Sequence, residues 1–93
     1  MSVAELGSAG ILDARGLVCP EPVLRTARAM RGLQPGATLT VLATDPVARI
    51  DIPYYCHHAG LELQSTTSQA EVLIFKIYKP KTAVQLAPNR PIG

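Results

Sequence analysis

The pattern of apolar and polar residues predicts strands in four stretches of the chain. Polar and apolar residues alternate at the start of the stretch 38–43, and residues 11–13 are a shorter strand candidate. Residues 61–65 and 72–78 are joined by the polar residues 66–69, which predicts a hairpin. In the strand over 38–43, the face expected to be buried carries Leu39, Val41 and Ala43.

Two further stretches place apolar residues at helical spacing and predict two helices. The first opens at residues 19–22, whose prolines suit a first helical turn, and ends at Gly32. The second follows the Asp-Pro start signal at 45–46 and ends at Gly60. Because an Asp-Ile-Pro sequence at 51–53 repeats the start signal, we expect this helix to be broken or kinked there. The positions expected on the buried faces are Val23, Ala27 and Met30 in the first helix and Ile52, Tyr55, Cys56 and Ala59 in the second.

The element order β-α-β-α-β-β predicts an α/β fold. A strand, a helix and a strand in succession normally form a right-handed parallel crossover, so both helices are expected on one face of a four-stranded mixed sheet. The predicted architecture is therefore a two-layer sandwich. The face of the sheet without helices would display four apolar residues: Leu42, Val72, Ile74 and Tyr78. We expect either the chain itself or a partner or second copy to cover them.

The composition is that of one compact domain. The chain has 93 residues, of which 47% are hydrophobic and 17% are charged, and this excludes wholesale disorder. The net charge of +2 comes without a block of basic residues, so a dedicated nucleic-acid-binding protein is not indicated. We expect a domain over residues 11–79 between a flexible N-terminal extension (1–10) and a flexible C-terminal tail (80–93).

The lack of a targeting pattern in residues 1–10 and the low cysteine content both predict a cytoplasmic location. Residues 1–10 have neither a basic start nor an apolar core, and no window approaches the roughly 18 apolar residues of a membrane span. Two cysteines, Cys19 and Cys56, are too few for a disulfide framework, which favours a reducing compartment. No contact with a membrane is expected.

Cys19 is the strongest candidate for chemistry. It follows the first predicted strand and stands at the start of a helix, where the helix dipole favours a thiolate by about 0.3–1 kcal/mol. Pro20 and Pro22 lack N–H groups and stiffen the turn, so only the N–H groups of Glu21 and Val23 remain for the sulfur. Because no second cysteine is adjacent, the site is not a local dithiol but can carry a group on its sulfur.

The sequence around Cys19 resembles the TusA/SirA-like sulfur carriers. The resemblance covers residues 11–79 and rests on the C-P-x-P motif Cys19-Pro20-Glu21-Pro22 at the end of the segment 12–22. The segments 33–36, 45–46 and 51–56 match at the same spacings. Two positions depart from the family pattern: Val18 replaces a frequent basic residue and Thr44 a frequent acidic one.

The resemblance implies a sulfur relay. Cys19 would accept sulfane sulfur as a persulfide from a cysteine desulfurase or a rhodanese and pass it to a downstream acceptor protein. In related carriers the sulfur serves 2-thiouridine formation in tRNA, molybdenum cofactor assembly or sulfur oxidation, and this sequence leaves the destination open. The chain would act as a stoichiometric intermediate more than as a stand-alone enzyme, without a cofactor and without direct contact to tRNA.

Several other residues allow two interpretations. Arg25, Arg28 and Arg31 follow one helix face and form either a solvated surface or a contact strip for an acidic partner. Asp45 is a helix cap or a docking residue, and Glu21 is a favourable first-turn acid or helps to orient a partner.

The remaining residues with metal-binding or redox capacity give weaker indications. Cys56 either packs in the core or acts as a second sulfur. His57 and His58 are adjacent and lack the spacing of a shared metal face, so no metal site is expected. Asp51 is interpreted as a helix cap.

Two classes of function follow from these observations. The leading hypothesis is the sulfur carrier, with Cys19 as its covalent site. The alternative is a non-catalytic regulatory or adaptor module that binds a protein or RNA partner through the open sheet face and the arginine strip. The two differ in whether the Cys19 sulfur is required.

Overall fold

The structure, a computed structural model, describes residues 9–81 and contains the predicted element order. The elements are β1 (Ala9–Ala14), α1 (Glu21–Arg31), β2 (Thr38–Ala43), α2 (Ala48–Ala59), β3 (Glu62–Gln69) and β4 (Val72–Tyr78). β1 begins two residues before the predicted strand. The flexible extension and tail predicted at the two ends lie largely outside the described residues.

The four strands form one mixed sheet in the order β1-β2-β4-β3. β1 and β2 are parallel, and β4 is antiparallel to both β2 and β3. Met30 of α1 and Ile52 of α2 belong to the same buried cluster as Leu39 and Phe75 of the sheet, so both helices cover one sheet face. The predicted two-layer α/β sandwich is confirmed. The two helices, of 11 and 12 residues, are both too short to cross a bilayer.

The core lies between this sheet face and the helices. Leu39, Val41 and Ala43 are fully buried, which confirms the predicted face of β2. Each large apolar side chain removed from water contributes about 1.5–3 kcal/mol. On the opposite face, the residues predicted to be displayed are half-buried: Leu42, Val72, Ile74 and Tyr78.

The buried face of α1 differs from the prediction. Pro22, Thr26 and Met30 are buried, whereas Val23 and Ala27 are only half-buried. The hydroxyl of Thr26 donates a hydrogen bond to the Pro22 carbonyl at 2.7 Å. This hydrogen bond satisfies the hydroxyl group of Thr26, so the residue can be buried in the core. A pattern of apolar residues does not predict a threonine at this position.

The predicted break in α2 is wrong, and so is its start. The helix begins at Ala48, after a turn in which the N–H of Ala48 donates to the carbonyl of Asp45 at 3.0 Å. It then continues without interruption across Pro53. A proline costs one intrahelical hydrogen bond, and burial of Ile52 and Cys56 on either side of it holds the helix together.

The hairpin turn is tighter than predicted. β3 runs to Gln69, and the turn consists of Ala70 and Glu71, whose φ angles are +51° and +68°. Two-residue turns with positive φ match the twist of hairpin strands, but Gly or Asn usually occupies them. Because neither Gly nor Asn marks the turn at residues 70–71, the polar residues 66–69 are predicted as the link between the strands, although they belong to β3.

Candidate functional site around Cys19

Cys19 lies in the loop between β1 and α1, beyond the carboxyl end of β1. Two backbone hydrogen bonds shape this loop: Leu17 N–H to Ala14 C=O at 3.3 Å and Glu21 N–H to Val18 C=O at 2.9 Å. The Cys19 side chain is half-buried. The thiol is therefore open to solvent on one side, but the Glu21 N–H predicted to be available to the sulfur is already engaged.

Both prolines of the motif contribute to the start of α1. The carbonyl of Pro20 accepts the Leu24 N–H at 3.0 Å, which begins the helical hydrogen bonding. Pro20 is exposed, whereas Pro22 is buried and anchors the first turn in the core. Cys19 is thus held directly before a fixed helix start.

The loop after β2 clamps the loop that carries Cys19. The Asp45 carboxylate accepts the Cys19 backbone N–H at 2.7 Å with one oxygen and the Val47 N–H at 3.0 Å with the other. The Gly16 N–H donates to the Thr44 hydroxyl at 2.9 Å. The prediction that Asp45 caps the start of α2 is therefore wrong. Asp45 instead joins the two loops at the carboxyl ends of the parallel, neighbouring strands β1 and β2.

Asp45 is a charged group next to the cysteine. Hydrogen bonds from the Cys19 and Val47 N–H groups, in that order of importance, lower the pKa of its carboxyl group from the ordinary value. Because both bonds favour the ionised form, Asp45 is a carboxylate at neutral pH. The negative charge of Asp45 therefore lies next to the backbone N–H of Cys19, the residue expected to carry the chemistry.

The electrostatic environment of the Cys19 thiol is opposite to the one predicted. Partial burial, a hydrogen bond to the Asp51 carboxylate and the negative charges of Asp51 and Asp45 raise its pKa to about 11. The expected thiolate stabilisation by the α1 dipole is only about 0.3–1 kcal/mol and is outweighed here. The free protein consequently holds Cys19 as a protonated thiol at neutral pH.

The influence of Asp51 on the Cys19 pKa is absent from the sequence prediction, which interprets Asp51 only as a helix cap. The two residues are 32 positions apart, but α2, which carries Asp51 in its first turn, begins at the same sheet edge as the Cys19 loop. The only sequence signal is the topology: strand-to-helix loops of parallel strands gather at one edge.

The arginine strip extends away from Cys19 along α1. Arg25 pairs with Glu21 at 3.3 Å across one helical turn, so part of its charge is already compensated. Arg28 and Arg31 are exposed in the last turn, where the helix dipole favours cations. Arg31 lies about 15 Å along the helix axis from its start, given the rise of about 1.5 Å per residue.

Five large apolar side chains are exposed on α1, on α2 and in the loops before these helices. Their exposed fractions range from 47% to 71%. We call this set the apolar rim: Val18, Leu24, Val47, Ile50 and Tyr54. Sequence reasoning misses it because an apolar pattern assigns such residues to the core. The available signal is that Ile50 and Tyr54 are spaced by one helical turn and lie off the buried stripe of α2.

The other cysteine and the two histidines do not join the site. Cys56 is 2% exposed, and burial raises the pKa of its thiol to about 11. His57 and His58 are exposed, with their ring centroids 5.2 Å apart. Within residues 9–81, no three His, Cys, Asp or Glu side chains are grouped closely enough to hold a metal ion.

The sequence matches known proteins over nearly all of the described domain. The family model described as "Sulfurtransferase TusA" matches residues 10–79. "Sulfur carrier protein TusA" of Pseudomonas paraeruginosa is 46% identical over 69 residues, 74% of this chain and 87% of that protein. The proteins of the same name from Pseudomonas fluorescens and Pseudomonas putida F1 are 46% and 45% identical, covering 75% and 74% of this chain and 84% and 86% of theirs. The chain therefore belongs to the TusA family of sulfur carriers.

Proposed function

We propose that Cys19 is the residue on which this protein carries sulfur, as a persulfide. The observation that supports it most is the position of the thiol: it is half-exposed at a sheet edge while its backbone is fixed to Asp45. The only other thiol of the chain, Cys56, is buried. A carrier needs an accessible sulfur in a stable setting, and Cys19 alone provides it.

The transfer moves one sulfur atom without net oxidation or reduction. The Cys19 sulfur, having released its proton, attacks the outer sulfur of a persulfide on the donor protein. A new S–S bond forms at Cys19, the S–S bond of the donor breaks, and the donor thiolate leaves and takes up a proton. The reverse roles apply when loaded Cys19 delivers its outer sulfur to an acceptor.

The donor in this proposal is a cysteine desulfurase or a rhodanese, and the acceptor is a downstream sulfur-relay protein. The exposed Arg28 and Arg31, together with Arg25 and Asp45, offer charges for orienting these proteins, and the apolar rim offers the contact area. We take 2-thiouridine formation in tRNA as the destination to test first. The compartment proposed is the cytoplasm, since both cysteines are free thiols.

Sulfur loading tests the assignment directly. After incubation with a cysteine desulfurase and cysteine, intact-mass measurement should show the addition of one sulfur atom to the wild-type chain. Cys19→Ser should abolish the adduct, because the accepting sulfur is gone. Cys56→Ala is the matched control and should load like the wild type. An adduct that persists in Cys19→Ser, or a wild-type chain that never loads, contradicts the proposal.

A further inference from the structure

A groove with a volume of about 410 Å³ lies between the start of α2 and the turn of the β3–β4 hairpin. We call it the hairpin groove, and its lining residues are Thr44, Pro46, Arg49, Ser68, Glu71 and Leu73. Leu73 is buried and the other five are exposed, so the groove has an apolar floor and a mostly polar rim. The volume lies within the range of small-molecule sites, about 300–1,000 Å³.

The hairpin groove contains two opposite charges that have no partner in the described structure. Arg49 contributes a cation from α2, and Glu71 contributes a carboxylate from the hairpin turn. Among residues 9–81, neither side chain forms an ion pair or a hydrogen bond, whereas Arg15 and Arg25 are both paired. The groove therefore offers one group that can bind a carboxylate and another that can bind an ammonium group.

The backbone at Glu71 gives a second indication that this side chain is used. Ala70 and Glu71 form the hairpin turn with φ angles of +51° and +68°. Gly and Asn are the usual residues at such positions, because a Cβ atom disfavours positive φ. Glycine at position 71 would suit this turn better than glutamate does. A carboxylate at this position favours a role for its charge in the groove.

The hairpin groove adjoins the loop that carries Cys19. The hydroxyl of Thr44, in the groove wall, accepts the Gly16 N–H at 2.9 Å, and the adjacent Asp45 accepts the Cys19 N–H at 2.7 Å. The carboxyl ends of β1 and β2 and the start of β4 lie at one sheet edge. At about 4.8 Å per strand, β4 lies about 10 Å from β1. An extended peptide of three residues spans about 10 Å, so a ligand of that length reaches from the groove to the loop.

We propose that the hairpin groove binds a zwitterionic peptide thiol of about three residues, and that the persulfide of this compound loads Cys19 directly. Its carboxylate pairs with Arg49, its ammonium group pairs with Glu71, and its apolar part lies over Leu73. This inference rests on the proposed function, because it adds a small-molecule class of sulfur donor for the same cysteine.

The loading step moves one sulfur atom and needs no oxidant. The Cys19 sulfur, having released its proton, attacks the outer sulfur of the bound persulfide. An S–S bond forms at Cys19, the S–S bond of the ligand breaks, and the ligand leaves as a thiolate that takes up a proton. The charges of the groove hold the ligand during this exchange, so both should affect its affinity.

Binding is tested with reduced glutathione, a tripeptide thiol that carries an ammonium group and two carboxylates. Titration should shift the backbone amide NMR signals of residues 44–49 and 68–73. Arg49→Gln and Glu71→Gln should each weaken binding about fivefold, the upper range for an exposed ion pair. The matched controls are Lys76→Gln, at an exposed position of β4, and Glu62→Gln, at the exposed first residue of β3. Both controls should bind like the wild type.

A second ligand and a third variant sharpen the binding test. N-acetylcysteine amide has the thiol but neither charge, and it should leave the groove signals unshifted. Glu71→Gly removes the carboxylate and suits the positive φ, so it should unfold at a higher urea concentration than the wild type and still bind glutathione about fivefold more weakly. The absence of groove shifts with glutathione, equal shifts with N-acetylcysteine amide, or unchanged affinity in Glu71→Gly overturns the proposal.

The loading step is tested with glutathione persulfide and intact-mass measurement. The wild type should gain one sulfur atom on Cys19, and Arg49→Gln should gain it about fivefold more slowly at a low donor concentration. Equal rates in the two proteins overturn the proposal. A wild-type chain that loads from a cysteine desulfurase but not from glutathione persulfide also overturns it, while the assignment of Cys19 as the carrier residue stands. If neither donor loads Cys19, the proposed function fails as well.

Discussion

At the residue scale, the two cysteines of this chain have similar pKa values for different reasons. Partial burial and two nearby carboxylates raise the pKa of Cys19, whereas burial alone raises that of Cys56. Residue type and position in the chain predict a nucleophile at 19 and a packing residue at 56. They do not predict that the pKa of Cys19 is raised, because Asp51 and Asp45 reach the thiol only through the fold.

The raised pKa of Cys56 makes stability depend on alkaline pH. The folded-state pKa of about 11 lies above the ordinary 9.0, so the unfolded chain releases this proton first as the pH rises. The stabilisation is complete below about pH 9 and is lost progressively toward pH 11. Urea unfolding at about pH 8 and about pH 10.5 should show a fall in the free energy of unfolding that is smaller in Cys56→Ala. An equal fall in both proteins would contradict this assignment.

At the scale of the elements, Lys79 joins the end of β4 to the end of α1. Its ammonium donates to the carbonyls of Met30 at 2.8 Å and Leu33 at 2.6 Å. Its backbone pairs with Ala37 at 2.9 Å and with Gly36 at 2.6 Å. The last carbonyls of a helix lack intrahelical partners, so a buried lysine at this place satisfies them.

Replacing this lysine should destabilise the fold. Lys79→Met keeps the length of the side chain but removes the donor of the Leu33 carbonyl and one donor of the Met30 carbonyl, which also accepts the Leu33 N–H at 3.2 Å. The loss should cost about 1–3 kcal/mol of unfolding free energy. Lys76→Met, at an exposed position of β4, is the matched control and should change stability by less than about 0.5 kcal/mol. Equal urea midpoints for Lys79→Met and wild type would show that the contact contributes nothing.

At the scale of the whole molecule, Cys19 and the exposed apolar and arginine residues belong to the helices and the loops before them. The opposite sheet face carries half-buried apolar residues and the exposed Lys76. The carrier hypothesis and the adaptor hypothesis differ in one requirement, because only the carrier needs the Cys19 sulfur.

A complementation experiment in cells distinguishes the carrier hypothesis from the adaptor hypothesis. In a strain that lacks this protein, wild type should restore 2-thiouridine in tRNA and Cys19→Ser should not. The double variant Arg28→Glu/Arg31→Glu should restore it only partly, because charge reversal slows the encounter with an acidic partner. Lys76→Glu, on the other sheet face, should act like the wild type. A functional Cys19→Ser protein together with an inactive arginine variant would favour the adaptor.

Sequence alone was sufficient for the element order, the face of β2 that is buried and the choice of Cys19 as the candidate reactive cysteine. These depend on local information: the period of Leu39, Val41 and Ala43, and the prolines beside Cys19. The tertiary structure decided the burial of Thr26, the continuity of α2 across Pro53 and the hydrogen bond of the Cys19 backbone to Asp45. Each of these depends on the packing of groups in three dimensions, and a pattern along the chain carries no distance between them.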